Sequence, residues 1–282
     1  MEIKIAENAG FCFGVKQAVD SVYRLTEENK GRPIYTLGPI IHNERVIEEL
    51  RERGVLIADE IDGLPKDAIV VIRSHGVPES VIRQLEDAGL TYHNATCPFV
   101  EKIHQIVRER SQAGEEIVIV GSAAHPEVVG ILGWSKNGGT VIETYEEAEA
   151  YKPRNHAGKV CVVAQTTFNS KKFQDFVEIF LKKEYDINVV NTICRATQLR
   201  QQEARQLAAV SDAMIVIGGA DSSNSRKLYE ICKQQCESTF FIQTANAIEP
   251  ISFDGFSALS ITAGASTPNT LIQEVYEACQ KK

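Results

Sequence analysis

The sequence predicts an α/β fold with mainly parallel sheets, and three observations carry that reading. Short β-branched runs recur along the chain, amphipathic segments lie between them, and glycines stand where those segments should stop. The runs are apolar at consecutive rather than alternate positions, as strands covered by helices on both faces require. In order they are EIKIA at 2–6, AIVVIRS at 68–74, EIVIVGS at 116–122, KVCVVAQ at 159–165, AMIVIGG at 213–219 and ALSITAG at 258–264. The helical segments are NERVIEELRERG at 43–54, PFVEKIHQIVRERSQAG at 98–114 and NSKKFQDFVEIFLKKEY at 169–185, with apolar residues three or four apart. Gly54 and Gly114 read as helix stops, because glycine enters the left-handed conformation without strain.

The chain has 282 residues, enough for two to three modules at roughly 100–150 residues per domain. It is 43% apolar and 24% charged, which excludes collagen-like, low-complexity and wholly disordered classes. The longest aliphatic strings, such as IVVI and IVIV, fall far short of the ~20 apolar residues of a membrane helix. The opening MEIKIAENAG lacks a signal-peptide core, so a cytoplasmic location is expected. A net charge of −8 argues against a nucleic-acid-coating protein but leaves room for a small anion held by local donors. Seven cysteines occur without one CxxC pair, against a zinc ribbon or a thioredoxin-like site. In a reducing compartment such thiols are packed residues, nucleophiles or metal ligands.

Three of the cysteines open helical segments in the same way. Cys12 precedes Val15, Ala18, Val19 and Val22; Cys97 precedes Pro98, which a first helical turn tolerates; Cys194 precedes a polar-faced helix. They divide the chain into segments of similar length. His42, His125 and Ser222 follow their respective cysteines by 28–30 residues, and His75, Thr166 and Ser266 by 63–72. Most of these residues come just after a strand, where ligands of open α/β sheets bind. The pattern reads as three degenerate copies of one unit, each aiming a cysteine and two polar loops at a shared centre.

Three thiolates around a 4Fe–4S cluster would leave one iron without a protein ligand, a Lewis acid for a substrate oxygen and a conduit for single electrons. A helix N-terminus beside each cysteine favours the thiolate form. Taken singly, each would by default be a packed free cysteine, and only the repeated context favours ligation; packing is the reading for Cys161 and for Cys232 with Cys236 on one helix face, and Cys279 lies in a tail expected to be disordered. His42, His75 and His125 suggest a donor site for an anion, since imidazoles donate hydrogen bonds and can carry positive charge near neutrality. His93, His104 and His156 read as surface residues. Glu127 is a candidate proton donor in a partly dehydrated pocket, or else an acid favoured in a first helical turn. The SSNS loop at 222–225 can cradle phosphate, while no Walker sequence or convincing GxGxxG supports nucleotide use.

The motifs GFCFGV, HN at 42–43, SHGV, ATCP, AAHPEV, QTT, IC at 193–194, SSNS and TAGAS run from residue 8 to residue 266. As a set they resemble the 4-hydroxy-3-methylbut-2-enyl diphosphate reductase family of the methylerythritol phosphate route to isoprenoids. The resemblance implies a pseudo-threefold trefoil of three small α/β domains around a central cavity, divided as 14–96, 97–193, and 1–13 with 194–282. It implies a 4Fe–4S cluster on Cys12, Cys97 and Cys194, and diphosphate binding by His42, His75, His125, Ser222, Ser223, Asn224 and Ser266. It implies Thr166 at the substrate hydroxyl with Thr167 adjacent, Glu127 delivering a proton, and a ferredoxin or flavodoxin as electron donor. Reductive loss of the hydroxyl as water would yield isopentenyl or dimethylallyl diphosphate. Phe13 departs from the small residue that many relatives carry after the first cysteine, and could alter packing near a cluster. The chain ends soon after the last motif, so no S1-type extension is expected. A quinolinate synthase-like enzyme would need an arginine-rich dicarboxylate site, whereas Arg73 and Arg195 are the nearest arginines. A non-catalytic diphosphate-binding or redox-sensing protein is the other alternative.

Overall fold

The computed structural model describes residues 1–154 and 158–282; His156, read above as a surface residue, lies outside the described residues. The first third of the chain carries β1 (Glu2–Ile5), α1 (Phe13–Glu28), β2 (Ile34–Leu37), α2 (Glu44–Glu52), β3 (Val55–Ala58), β4 (Ile69–Ile72), α3 (Glu79–Asp87) and β5 (Thr91–Asn94). The middle third carries α4 (Pro98–Gln112), β6 (Glu116–Val120), α5 (Pro126–Leu132), β7 (Gly139–Ile142), α6 (Tyr145–Ala150), β8 (Val160–Ala164), α7 (Ser170–Leu181) and β9 (Ile187–Val189). The last third carries α8 (Arg195–Ala208), β10 (Ala213–Ile217), α9 (Ser223–Lys233), β11 (Thr239–Ile242), β12 (Ala258–Ala263) and α10 (Asn269–Gln280).

The strands form three four-stranded sheets, ordered β3-β2-β4-β5, β7-β6-β8-β9 and β11-β10-β12-β1. All of their pairings are parallel, so the α/β class expected from the sequence holds. The order is the same each time, except that the last edge of the third sheet is supplied by β1, with Ile5 opposite Ile261.

The chain divides into two compact units: residues 1–16, 41–48 and 195–282, and residues 17–40 and 49–194. In the first unit, one face of the sheet packs Ile215, Ile217 and Ile261 against Leu271 and Val275 of α10. The opposite face packs Met214 and Val216 against Leu207 of α8 and Leu228 of α9. In the second unit, Val118, Val120, Val160 and Val162 meet Phe173, Phe176 and Phe180 of α7. The intervening Ile117, Ile119, Cys161 and Val163 face Ile103 and Val107 of α4 and Ile131 of α5. The other sheet of this unit packs Val70 and Ile72 under Leu85 of α3. Alternate residues of one strand are therefore buried on opposite faces, which is why these strands read as unbroken apolar runs.

The six runs named from the sequence all form strands. The six further strands, β2, β3, β5, β7, β9 and β11, have no such run, since most are half-exposed edges of three or four residues. Two expectations are corrected. Cys279 is not in a disordered tail: it is 1% exposed on α10, against Leu271 and Val275 of the same core. His104 is not a surface residue: it is buried on α4, with its ring stacked on Trp134 at 5.2 Å and 15°. Its position explains the miss, because the apolar face of α4 covers β6 and β8 while His104 meets another ring rather than solvent. His93 is half-buried on β5.

Burial pulls the His104 pKa from 6.5 down to about 4. Between those values the unfolded chain binds a proton that the folded chain does not. The stability tied to the neutral ring is thus full above about pH 6.5 and is lost as pH falls toward 4. From pH 7 to pH 5 this residue is expected to cost about 2 kcal/mol of stability. A His104→Phe variant, which keeps a ring on Trp134, should lose that pH dependence in denaturant midpoints measured at the two pH values.

Candidate active site

Every candidate residue lies past the carboxyl end of a strand, where a parallel sheet leaves open backbone ends and room for ligands. In the β3-β2-β4-β5 sheet, His42 follows β2, His75 follows β4 and Cys97 follows β5. In the β7-β6-β8-β9 sheet, His125 and Glu127 follow β6, Thr166 and Thr167 follow β8, and Cys194 follows β9. In the third sheet, Ser222, Ser223 and Asn224 follow β10, Ser266 follows β12 and Cys12 follows β1. The edge strands β3, β7 and β11 carry no candidate. Each sheet thus presents two polar loops from its central strands and a cysteine from the same edge.

In the second unit the structure brings together His75, His125, Glu127, Thr166 and two cysteine loops. The His75 and His125 rings meet edge to face, with centroids 5.4 Å apart. His125 caps α5, its Nδ1 accepting the Glu127 amide at 3.2 Å, so the neutral ring carries its proton on Nε2. Glu127 is only 2% exposed. One of its carboxylate oxygens accepts the Thr166 amide at 2.6 Å and the other accepts the Thr166 hydroxyl at 2.7 Å. The acid is thus buried and held from both oxygens by a single neighbour, with a hydroxyl in direct contact. The Thr166 carbonyl accepts the Cys194 amide at 3.0 Å, and the Ser74 carbonyl accepts the Cys97 amide at 3.0 Å. Each cysteine backbone is therefore tied to the neighbouring polar loop of its own sheet.

In the first unit, Ser222 caps α9 by accepting the Ser225 amide at 3.3 Å, and the two hydroxyls bond at 2.9 Å. Ser225 fills the space beside Gly218 and Gly264, where a Cβ would lie 2.1 and 2.0 Å from its Oγ. Only glycine allows the two strand ends to close on this helix start. Ser266 donates to the His42 carbonyl at 3.1 Å, and the adjacent Ala265 carbonyl accepts the Cys12 amide at 3.2 Å. Asn224 is 6% exposed, and both polar atoms of its amide are buried with no partner among the described residues. An amide left so costs about 1–3 kcal/mol, a cost a bound polar ligand would remove.

Several supporting residues carry no sequence signal. Gln165 is buried, accepting the Ser122 amide at 3.4 Å and donating to the Thr167 hydroxyl at 3.1 Å. The Thr192 hydroxyl bonds both the amide and the carbonyl of Ala164, at 2.7 and 2.5 Å, joining the chain before Cys194 to β8. Arg200 donates to the carbonyls of Asn8 and Gly10 at 2.7 Å, and Glu203 accepts the amides of Glu7 and Asn8 at 2.7 and 2.8 Å. These two side chains of α8 hold the loop that leads to Cys12. A charged residue on a polar helix face looks like a solvated one until its backbone partners are known.

The seven cysteines separate by environment. Cys161, Cys232, Cys236 and Cys279 are buried, whereas Cys12, Cys97 and Cys194 are partly exposed. Burial pushes the Cys161 thiol up to about 11, the Cys232 thiol to about 12 and the Cys279 thiol to about 11, so these stay protonated near neutrality. Only the other three stand at strand exits and helix starts, and they are the donor set available to a thiolate-bound group. Phe13, beside the first of them, is 68% exposed. Of the two arginines nearest the candidates, Arg195 is exposed and Arg73 packs on Gly38, where burial lowers its pKa.

The LytB protein family model matches residues 3–280. A 4-hydroxy-3-methylbut-2-enyl diphosphate reductase of Clostridioides difficile strain 630 is 43% identical over 275 residues, 98% of this chain and 98% of that one. The protein of the same name from Caldanaerobacter subterraneus subsp. tengcongensis is 43% identical over 279 residues, 98% of this chain and 96% of that one. The solved structure of (E)-4-hydroxy-3-methyl-but-2-enyl diphosphate reductase, the terminal enzyme of the non-mevalonate pathway, matches over 100% of both chains, with TM-score 0.70 and 40% identity. That of E-1-hydroxy-2-methyl-but-2-enyl-4-diphosphate reductase from Plasmodium falciparum covers 98% of this chain and 86% of its own, with TM-score 0.92; at 24% identity it bears on the fold alone.

The Glu127–Thr166 pair makes a direct prediction. Thr166→Val removes the hydroxyl donor to a buried carboxylate and is expected to cost about 1–3 kcal/mol of stability. Thr167→Val, which loses a half-buried amide-hydroxyl bond, should cost about 1 kcal/mol or less. Denaturant midpoints of the two variants measure the difference.

Proposed function

The chain belongs to the LytB protein family, and from that premise we propose that it is a 4-hydroxy-3-methylbut-2-enyl diphosphate reductase, the oxidoreductase that ends the non-mevalonate pathway. The reaction takes up two electrons and two protons, breaks the allylic carbon–oxygen bond and releases water. Reprotonation of the allyl fragment at either end leaves isopentenyl or dimethylallyl diphosphate. The observation that carries the chemical reading is the buried contact between Glu127 and Thr166, an acid next to a hydroxyl that can pass its proton on.

In this reading Ser222, Ser223, Asn224 and Ser266 bind the diphosphate through hydroxyls, an amide and the start of α9, whose dipole favours an anion. His42, His75 and His125 add imidazole N–H donors, that of His125 being Nε2 because its Nδ1 caps α5. Thr166, with Thr167 adjacent, meets the hydroxyl that leaves. Glu127 gives its proton to that oxygen through the Thr166 hydroxyl, so that water departs rather than hydroxide. Cys12, Cys97 and Cys194 would hold a 4Fe–4S cluster, and their partial exposure at helix starts fits thiolate ligands, unlike the four buried thiols. When bound, the cluster supplies single electrons and one iron without a protein ligand. A low-potential carrier of the ferredoxin or flavodoxin class would reduce it.

We divide the chain into three α/β domains, 14–96, 97–193, and 1–13 with 194–282, each built on one of the three sheets. No helix among the described residues is long and apolar enough to cross a membrane. A cytoplasmic setting suits seven cysteines of which none is joined in a disulfide among the described residues. A dicarboxylate-binding lyase finds little support, since the candidate loops carry histidine, serine and threonine rather than a set of arginines, and Arg195 is exposed.

Protein purified without oxygen and reduced by a dithionite-driven viologen dye is expected to convert the hydroxylated diphosphate to the two C5 products. Cys97→Ser should lose the cluster absorbance and Cys161→Ser should keep it; the reverse pattern would overturn the ligand set. Glu127→Gln should keep the cluster and substrate affinity while turnover drops on the order of 100-fold or more. Near-normal turnover in that variant would remove Glu127 as the acid.

A further inference from the structure

We propose that Trp134, with His104 stacked on it, is a positioning residue for substrate binding, because together they set the 75–78 segment that carries His75. The inference rests on the reading of His75 and His125 as diphosphate ligands. It concerns residues of the second unit only.

Segment 75–78 joins β4 to α3, and what shapes it comes from α4 and α5. Gly76 adopts φ +72°, and a Cβ there would lie 2.5 Å from His104 Cε1 and 3.1 Å from Thr96 Cγ2. On α5, a Cβ on Gly130 would lie 3.6 Å from the His75 carbonyl oxygen and 3.6 Å from the Gly76 carbonyl carbon. Just past α5, a Cβ on Gly133 would lie 2.4 Å from Pro78. Next to it, the Trp134 indole N–H donates to the Val77 carbonyl at 2.9 Å. Four consecutive residues, 75 to 78, are thus met by α5 and its exit, and the His104 ring packs on Gly76.

The indole is itself held. Its ring lies 5.2 Å from that of His104, and the Arg108 guanidinium sits 4.5 Å from its centroid. Arg108 pairs with Glu79, the first residue of α3, and Lys136 pairs with the same carboxylate at 2.8 Å. The start of α3 is thereby tied to the same assembly from its other end of the segment. His104 belongs to the helix headed by Cys97, and α5 is the helix capped by His125 and carrying Glu127. The Trp134–His104 stack therefore packs on the backbone of Gly76 and Val77, the two residues that follow His75. Its contacts fall on that backbone, so displacing the indole should move His75 relative to His125. A binding group displaced by about 1 Å loses much of its interaction with an anion of fixed shape.

The test uses the cluster-loaded enzyme with Trp134→Phe, which keeps a ring but loses the N–H, and Trp134→Leu, which loses both, with His75→Ala as reference. KM for the hydroxylated diphosphate should rise about threefold in Trp134→Phe and about tenfold in Trp134→Leu, with kcat within about twofold and the cluster absorbance unchanged. Crystal structures of the variants should show the His75–His125 separation altered from 5.4 Å, in the same rank order. If His75→Ala raises KM while neither Trp134 variant does, or if the ring separation is unchanged in both, the proposal is overturned. If the separation changes while His75→Ala leaves KM as it was, Trp134 positions His75 but the assignment of His75 to the diphosphate fails. Should Trp134→Leu not fold, Trp134→Phe alone decides between these outcomes.

Discussion

The structure depends on one constraint: parallel strands covered by helices on both faces have no polar surface of their own. Val70, Val118, Val162 and Ile215 are all fully buried, and their neighbours along each strand are buried on the other side. Polar chemistry is then confined to the strand ends, where the chain leaves the sheet and backbone groups still need partners. The candidate histidines, serines, threonines and cysteines all occupy such exits. The repeated sheet order means that one solution, a cysteine on one edge and polar loops from the two central strands, occurs three times.

Holding those exits in place falls to hydrogen bonds that link neighbouring loops of a sheet. Glu127 grips Thr166, Thr166 grips the Cys194 amide, and Ser74 grips that of Cys97. Around Cys12 the same task is met differently, by Arg200 and Glu203 reaching from α8 to the loop at 7–10. Backbone carbonyls do this for Cys97 and Cys194, and the Glu127, Arg200 and Glu203 side chains do it elsewhere, each bond fixing where a thiol or an acid stands. The Asn224 amide differs, since both of its polar atoms are buried and lack partners among the described residues, and it stands in a loop suited to an anion.

Much of this was legible beforehand because it rests on local pattern. Fully buried strands announce themselves as runs such as IVVI and EIVIV, and cysteines before amphipathic segments mark helix starts. Edge strands were not legible: β5 (TYHN) and β9 (INV) are polar or short, and they are strands only because a neighbour offers hydrogen bonds. His104 and Cys279 were misread for a related reason. A histidine on a charged helix looks solvated until Trp134 is placed against it, and a terminal cysteine looks loose until the Leu271 and Val275 face of α10 docks on its sheet.

The sequence by itself determined the α/β class, the threefold recurrence of cysteine and polar loop, and the identity of the residues that match the family motifs. Those follow from residue type and spacing, which are local quantities. Only the tertiary structure decided which cysteines keep access to solvent, that β1 pairs with β12 across the length of the chain, and that Glu127 shares a hydrogen bond with Thr166. Burial, strand pairing and hydrogen-bond partners depend on segments far apart in the chain, and no local pattern carries that information.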